Sequence, residues 1–192
     1  MRLFVALDLP DRVRAGIAAW GERNLRDPAL RAVPEPSLHI TLAFLGNRDQ
    51  AEVEPIVGIV RAVGAVRAPR IALGQPEQRP LRGRARVYAL PVASEGTESL
   101  QAVLVSRLAA AGLHEEAENR PFWPHVTVAR VRREGRGSQR PAAVQRPPKP
   151  LPQELLQPFG GVRLALYLSE LQPGGARYTP LAQVDLPEPG RQ

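Results

Sequence analysis

Two of the three histidines in this chain stand two residues ahead of a threonine. "LHITLAFLG" carries His39 and Thr41, and "RPFWPHVTVAR" carries His125 and Thr127. Both stretches read as strands, where residues two apart share a face. His39 and Thr41 are therefore expected on one side, with Leu38, Ile40, Leu42 and Phe44 on the other. His125 and Thr127 repeat the arrangement against Val126 and Val128. A single histidine on a strand is usually structural. With only four threonines in the chain, the same spacing found twice points to one shared site. His114 has no threonine two residues on; it opens the polar stretch "HEEAENR" and reads as a surface residue.

Two imidazoles suit a concerted proton shuttle, one neutral and taking a proton from the nucleophile, the other charged and giving one to the leaving oxygen. A hydroxyl beside each can donate to a substrate oxyanion. Phosphoryl chemistry fits, because acid and base on opposite sides of phosphorus match in-line displacement. The sequence has no Gly-x-Ser-x-Gly elbow for acyl transfer, no His-x-His or His-Glu-x-x-His for a metal hydrolase, and no Walker A loop. No metal or other cofactor is expected. There is no cysteine, which excludes disulfides, thiolate zinc sites and a cysteine nucleophile.

These motifs need elements to hold them. Residues 2–7 alternate as a strand, and Val13, Ile17 and Trp20 recur at helical spacing over 11–25. A strand over 37–45 ends at Gly46. Asp49 and Glu52 form a capping box ahead of a helix with Val53, Ile56, Val57, Val60 and Val63 on one face. Strands are expected near 69–75 and 86–92. Thr97 is read as the cap of a third helix that buries Leu100, Val103, Leu104 and Leu108 and stops at Gly112. The strand through His125 and two more, 162–170 and about 176–186, complete the set. Strands and helices mix without a βαβα rhythm, so the expected class is α+β. Residues 132–153, rich in proline and arginine, read as an extended loop: a solvated linker or a basic flap beside the site.

At 192 residues and 43% hydrophobic, the chain fits one domain or two lobes sharing an interface. The net charge is +7, and Lys149 is the only lysine. Arginine binds phosphate bidentately and stacks on bases, which raises nucleic acid as a partner. A GC-rich coding bias explains the arginine content equally well. The apolar start is cut short by Asp8 and Pro10, and no stretch approaches a membrane span. A cytoplasmic location, with no membrane and no obligate protein partner, is expected.

The paired His-x-Thr motifs resemble those of the two-histidine phosphoesterases, in particular the RNA 2',3'-cyclic phosphodiesterases also called 2'-5' RNA ligases. "MRLFVALDLP" is similar to the family's opening strand and "ARYTPL" (176–181) to its closing strand, so four matches fall in order across most of the chain. The resemblance implies a bilobal fold: a pseudo-two-fold repeat of antiparallel β-sheets with outer helices around a central cleft, one motif per lobe, spanning 1–192 as a single catalytic domain. It implies His39 and His125 as the acid–base pair, with His39 the acid at O3' and His125 the base on water, though the two motifs are similar enough to exchange roles. It further implies Thr41, Thr127 and Arg130 as phosphate contacts. Strict alternation turns Arg130 away from His125, so that contact requires the strand to end or bulge. Phe44 and Trp123 could stack on a base, or serve as core or rim aromatics. The substrate implied is RNA or a nucleotide with a 2',3'-cyclic phosphate end, opened to a 2'-phosphomonoester. The alternatives are ATP-independent 2'-5' ligation at the same site and a non-catalytic RNA-binding module.

Overall fold

The computed structural model describes residues 1–114, 121–172 and 175–188. Its strands and α-helices are β1 (Arg2–Asp8), α1 (Asp11–Asn24), β2 (Leu30–Ala32), β3 (His39–Asn47), α2 (Val53–Val63), β4 (Arg70–Leu73), β5 (Glu77–Arg79), β6 (Val87–Glu95), α3 (Thr97–Ala110), β7 (His125–Val131), β8 (Phe159–Gly160), β9 (Arg163–Gln172) and β10 (Gly175–Asp185). The strands pair antiparallel in the order β10-β9-β1-β3-β7-β6-β4-β8, with β2 on β7 and β5 on β6. The expected α+β class holds. Each half repeats one unit, a strand followed by a helix and a motif strand returning beside the first: β1, α1, β3 and then β6, α3, β7. The halves meet in the sheet at one residue pair, Ile40 opposite Val126.

The helices bury the faces that their spacing predicts. Val13, Ile17 and Trp20 of α1 are buried, and the Trp20 indole donates to the Pro150 carbonyl. The capping box is present: Asp49 N–H donates to Glu52 Oε2 at 2.7 Å. It opens a short 3-10 turn, Gln50–Glu52, that runs into α2. All five predicted apolar residues of α2 are buried, each such burial contributing about 1.5–3 kcal/mol. α2 packs on α3 and β9, and α3 also packs on β3, so helices following strands of both halves cover the first half.

Two expectations for α3 need correction. Thr97 is not its cap: Gly96, at φ 100°, holds that position, a backbone turn open to glycine, and Thr97 lies buried in the first turn. Val103 is exposed, because Leu100, Leu104 and Leu108 define the buried stripe and Val103 lies beside it. The helix is followed by Gly112 at φ 70°, as expected.

Residues 132–153 are neither a free linker nor a strand. They form a strap tied to the body at both ends, beginning with Arg132 N–H, which donates to the Ala29 carbonyl at 2.7 Å. The buried Asp27 carboxylate accepts from Gln145 N and Arg146 N, both at 2.8 Å, and from Ala29 N. These backbone donors, Ala29 first, hold its pKa below the ordinary carboxylate value. Further along, Leu151 N donates to Gln75 and Leu151 itself is buried. Among the described residues, no helix is long and apolar enough to cross a membrane.

Candidate active site

Ile40 and Val126 face each other across the junction and point into the core. Continuing that antiparallel register one residue each way sets His39 across from Thr127 and Thr41 across from His125, on the opposite face. A cavity of 600 Å³ opens there. It is lined by His39, Thr41, Phe44, His125, Thr127 and Arg130, so all six residues singled out from the sequence meet in one cleft.

Arg130 and Phe44 reach it by a device that strict alternation misses. Ala6 pairs with Thr41 and Val5 with Ala43, so Leu42 is an extra residue in β3. Ala89 pairs with Thr127 and Tyr88 with Ala129, so Val128 is an extra residue in β7. Each bulge lies three residues after the histidine and shifts the following residues to the other face. Phe44 and Arg130, both five residues after their histidine, therefore share the cleft face. The expectation that Phe44 points to the core side is corrected: it is 68% exposed. Arg130 likewise turns toward the cleft, by a bulge of the kind the sequence calls for.

The two imidazoles are held alike. His39 Nδ1–H donates to the Ser37 carbonyl at 2.8 Å, and His125 Nδ1–H donates to the Trp123 carbonyl at 2.7 Å. A carbonyl can only accept, so the proton of each neutral ring sits on Nδ1 and Nε2 is left as the exchanging nitrogen. Thr41 Oγ1 lies 3.1 Å from His39 Nε2 and donates to it. Around the rings the environments diverge. His39 stacks on Phe4 at 5.0 Å between centroids and meets the edge of Tyr178 at 5.4 Å. His125 stacks on Trp123 at 4.1 Å, and the Arg79 guanidinium lies 3.8 Å from the same indole. Two planar groups that close must take opposite faces of the ring, so Trp123 supports His125 and has no free face for a base.

The cleft repels positive charge. Arg2, Arg31 and Arg130 line it, with no aspartate or glutamate among the described residues. Burial pushes His39 down to about 4, against the opposing Ser37 hydrogen bond and with help from the charges of Arg130 and His125. Burial also lowers His125, with Arg79 and Arg130 adding to the effect against the Trp123 hydrogen bond. Both rings of the protein by itself are therefore neutral near neutral pH. At the end of β1, Asp8 is buried, accepts from Tyr167 Oη at 2.9 Å and pairs with Arg163 at 2.9 Å. His114 does not line the cleft and is half-buried; the polar residues 115–120 after it, including the Arg120 that opens the second motif, lie outside the described residues.

Sequence reasoning missed Phe4, Tyr178, Arg31 and Arg79. No short-range spacing ties them to the motifs: they come from other strands that the sheet order places alongside.

Two opposed imidazoles, each with a neighbouring hydroxyl, in an arginine-lined cleft between pseudo-repeated halves, define a two-histidine phosphoesterase. Residues 9–155 match the model of the 2'-5' RNA ligase superfamily, and the chain belongs to that family. It is 32% identical over 191 residues to an RNA 2',3'-cyclic phosphodiesterase of Thermus thermophilus, covering 97% of this chain and 90% of the relative. It is 33% identical to the Escherichia coli protein of the same name, covering 94% and 93%. A crystal structure of a Thermus thermophilus protein superimposes with a TM-score of 0.80 at 28% identity, covering 97% of this chain and 98% of that one. E. coli LigT complexed with 3'-AMP superimposes at 0.73, also at 28% identity and with the same coverage.

Proposed function

We propose that this chain is an RNA 2',3'-cyclic phosphodiesterase, opening the cyclic phosphate to a 2'-phosphomonoester, with 1–192 acting as one bilobal catalytic domain. The relatives' names support the reaction class. The observation that carries the residue assignment is the convergence of His39, Thr41, His125, Thr127 and Arg130 on one cleft with no carboxylate among its described lining residues.

The cyclic phosphate carries a negative charge, which offsets the repulsion that keeps the rings neutral and lets one imidazole hold a proton beside it. His125 Nε2 takes a proton from water as its oxygen attacks phosphorus. His39 Nε2 gives a proton to O3' as the P–O3' bond breaks. His39 ends neutral and His125 charged, and exchange with solvent resets them. A charged His39 can no longer accept from Thr41, so that hydroxyl is freed to donate to a phosphate oxygen. Thr127 and the Arg130 guanidinium supply further donors. Side chains carry every proton and the anion site, so no metal is required.

The test is incubation with a 2',3'-cyclic mononucleotide followed by phosphorus NMR, before and after exhaustive EDTA treatment. A 2'-phosphate product formed at an undiminished rate is expected. A predominant 3'-phosphate would reverse the substrate's orientation, and activity lost to EDTA and regained with zinc, magnesium or manganese would move the reaction to a metal mechanism. The family's description includes 2'-5' ligation, the reverse use of the same site. Joining a 5'-hydroxyl competes there with water at far higher concentration, so hydrolysis dominates with a single enzyme in dilute solution.

A further inference from the structure

A second cavity of 320 Å³ adjoins the catalytic cleft, lined by Arg31, Arg130, Val131, Arg132 and Arg133. Arg31 and Arg130 line both cavities, so the two are neighbours. We propose that this four-arginine pocket binds the next phosphodiester on the 5' side of the cyclic end, making an oligonucleotide a better substrate than a mononucleotide. The proposal rests on the reading of the cleft as a cyclic-phosphate site.

The local structure argues for an anion here. Arg31 lies directly opposite Arg130 in the β2–β7 pairing, and like charges across a ladder destabilise it unless something of opposite sign lies between them. Among the described residues, no carboxylate lines the pocket. The nearest acid in sequence, Glu134, is taken by Arg84 at 2.8 Å and Arg140 at 3.6 Å. Arg132 and Arg133 make no ion pair among the described residues, and both are exposed. Although consecutive, both line the pocket, and they follow directly on the end of β7 at Val131. Arg31 extends across the cleft to Gly175 of the other half, where a Cβ would stand 3.5 Å from its Nη1. The arginines thus form a short track leading away from the histidines. A cyclic phosphate is the 3' terminus of its strand, so a further phosphate can enter such a track only from the 5' side. Planar guanidinium groups suit bidentate contact with phosphodiester oxygens and carry no base preference.

The experiment compares binding by calorimetry of adenosine 2'-monophosphate and of adenylyl-adenosine bearing a terminal 2'-phosphate. The dinucleotide is expected to bind about tenfold tighter or better, one charge-assisted contact being enough for that factor. In an Arg132→Ala/Arg133→Ala double variant that advantage should vanish while the mononucleotide stays within about twofold. A dinucleotide with a neutral methylphosphonate linkage should bind the wild type like the mononucleotide. Equal binding of the two ligands by the wild type, equal weakening of both in the variant, or an advantage that survives the neutral linkage would each overturn the pocket. Turnover of the corresponding cyclic substrates is followed separately: its absence alongside the binding difference would refute the phosphodiesterase reading and leave the pocket standing.

Discussion

The strands β3 and β7 are built alike and equipped differently. From the histidine onward, six residues follow the same burial order: half-buried, buried, half-buried, buried, buried, exposed. Each histidine donates Nδ1–H to the carbonyl two residues before it, and each strand bulges at the third residue after it. The backbone thus delivers the same geometry twice. What differs is the side chain that each bulge turns into the cleft, Phe44 on one side and Arg130 on the other. The surroundings differ in kind too, an aromatic box around His39 and a cation–indole stack behind His125. A repeated scaffold is a way of placing two imidazoles opposite one another; unlike residues at a single matched position then give the cleft a guanidinium on one side and an aromatic ring on the other.

The sharpest break in the symmetry is at the histidines. His39→Ala and His125→Ala should each lose about 10²–10⁴ in kcat while remaining folded, since both side chains face the cleft. A cyclic substrate with sulfur bridging at the 3' position needs no proton on its leaving group and should rescue His39→Ala selectively. Rescue of His125→Ala instead would exchange the two roles.

Next in size is the matched position itself. Arg130→Ala should lower kcat/KM about 10–100-fold, the loss of a charge-assisted anion contact. The same change at Phe44 should cost far less, so equal losses would mean that the two bulges serve one purpose.

A smaller effect is expected in the pH profile. The active form has one ring charged, and burial and arginine charge lower both rings, His39 to about 4. kcat/KM, which reports the free enzyme, should therefore peak on the acid side of neutral and fall as pH rises through the His125 titration. kcat, which reports the complex, should peak at higher pH, because bound phosphate raises both rings. Arg130→Ala removes a charge that lowers both and should move the kcat/KM optimum upward. Coincident profiles of kcat and kcat/KM would remove the link between the substrate's charge and the proton.

The smallest effect belongs to Phe44→Ala. Base stacking is worth about 1–3 kcal/mol per base, and a ring this exposed falls at about 1 kcal/mol or less, so a rise in KM of a few-fold, larger for purine than for pyrimidine substrates, is expected, with kcat unchanged. No dependence on the base would leave Phe44 as a rim residue.

The site was legible in the sequence because spacing two places side chains on one strand face, whatever the strand pairs with. The apolar face of α2 was legible for the same local reason, since Val53 to Val63 follow the helical period without interruption. The bulges were not read, although both leave a trace: paired apolar residues, Leu42-Ala43 and Val128-Ala129, where alternation calls for one. β2, β5 and β8 are two or three residues long, too short to show a period, and exist only through their partners. Arg31 could not be found without β2, because only its pairing with β7 sets it opposite Arg130. The strap 132–153 was legible as irregular but not as anchored, since its anchor is Asp27, more than a hundred residues away.

The order of strands also sets a schedule for folding. β1 lies between β3 and β9, and β9 carries β10, so the half that holds His39 lacks two of its four main strands until residues 163–185 have been synthesised. The half that holds His125 draws its main strands from 70–160 and can close first. As the chain leaves the ribosome, the later motif is thus housed before the earlier one, and β1 waits with one edge unpaired. Such long-range closure slows folding and leaves an open strand edge exposed to wrong partners in the interval.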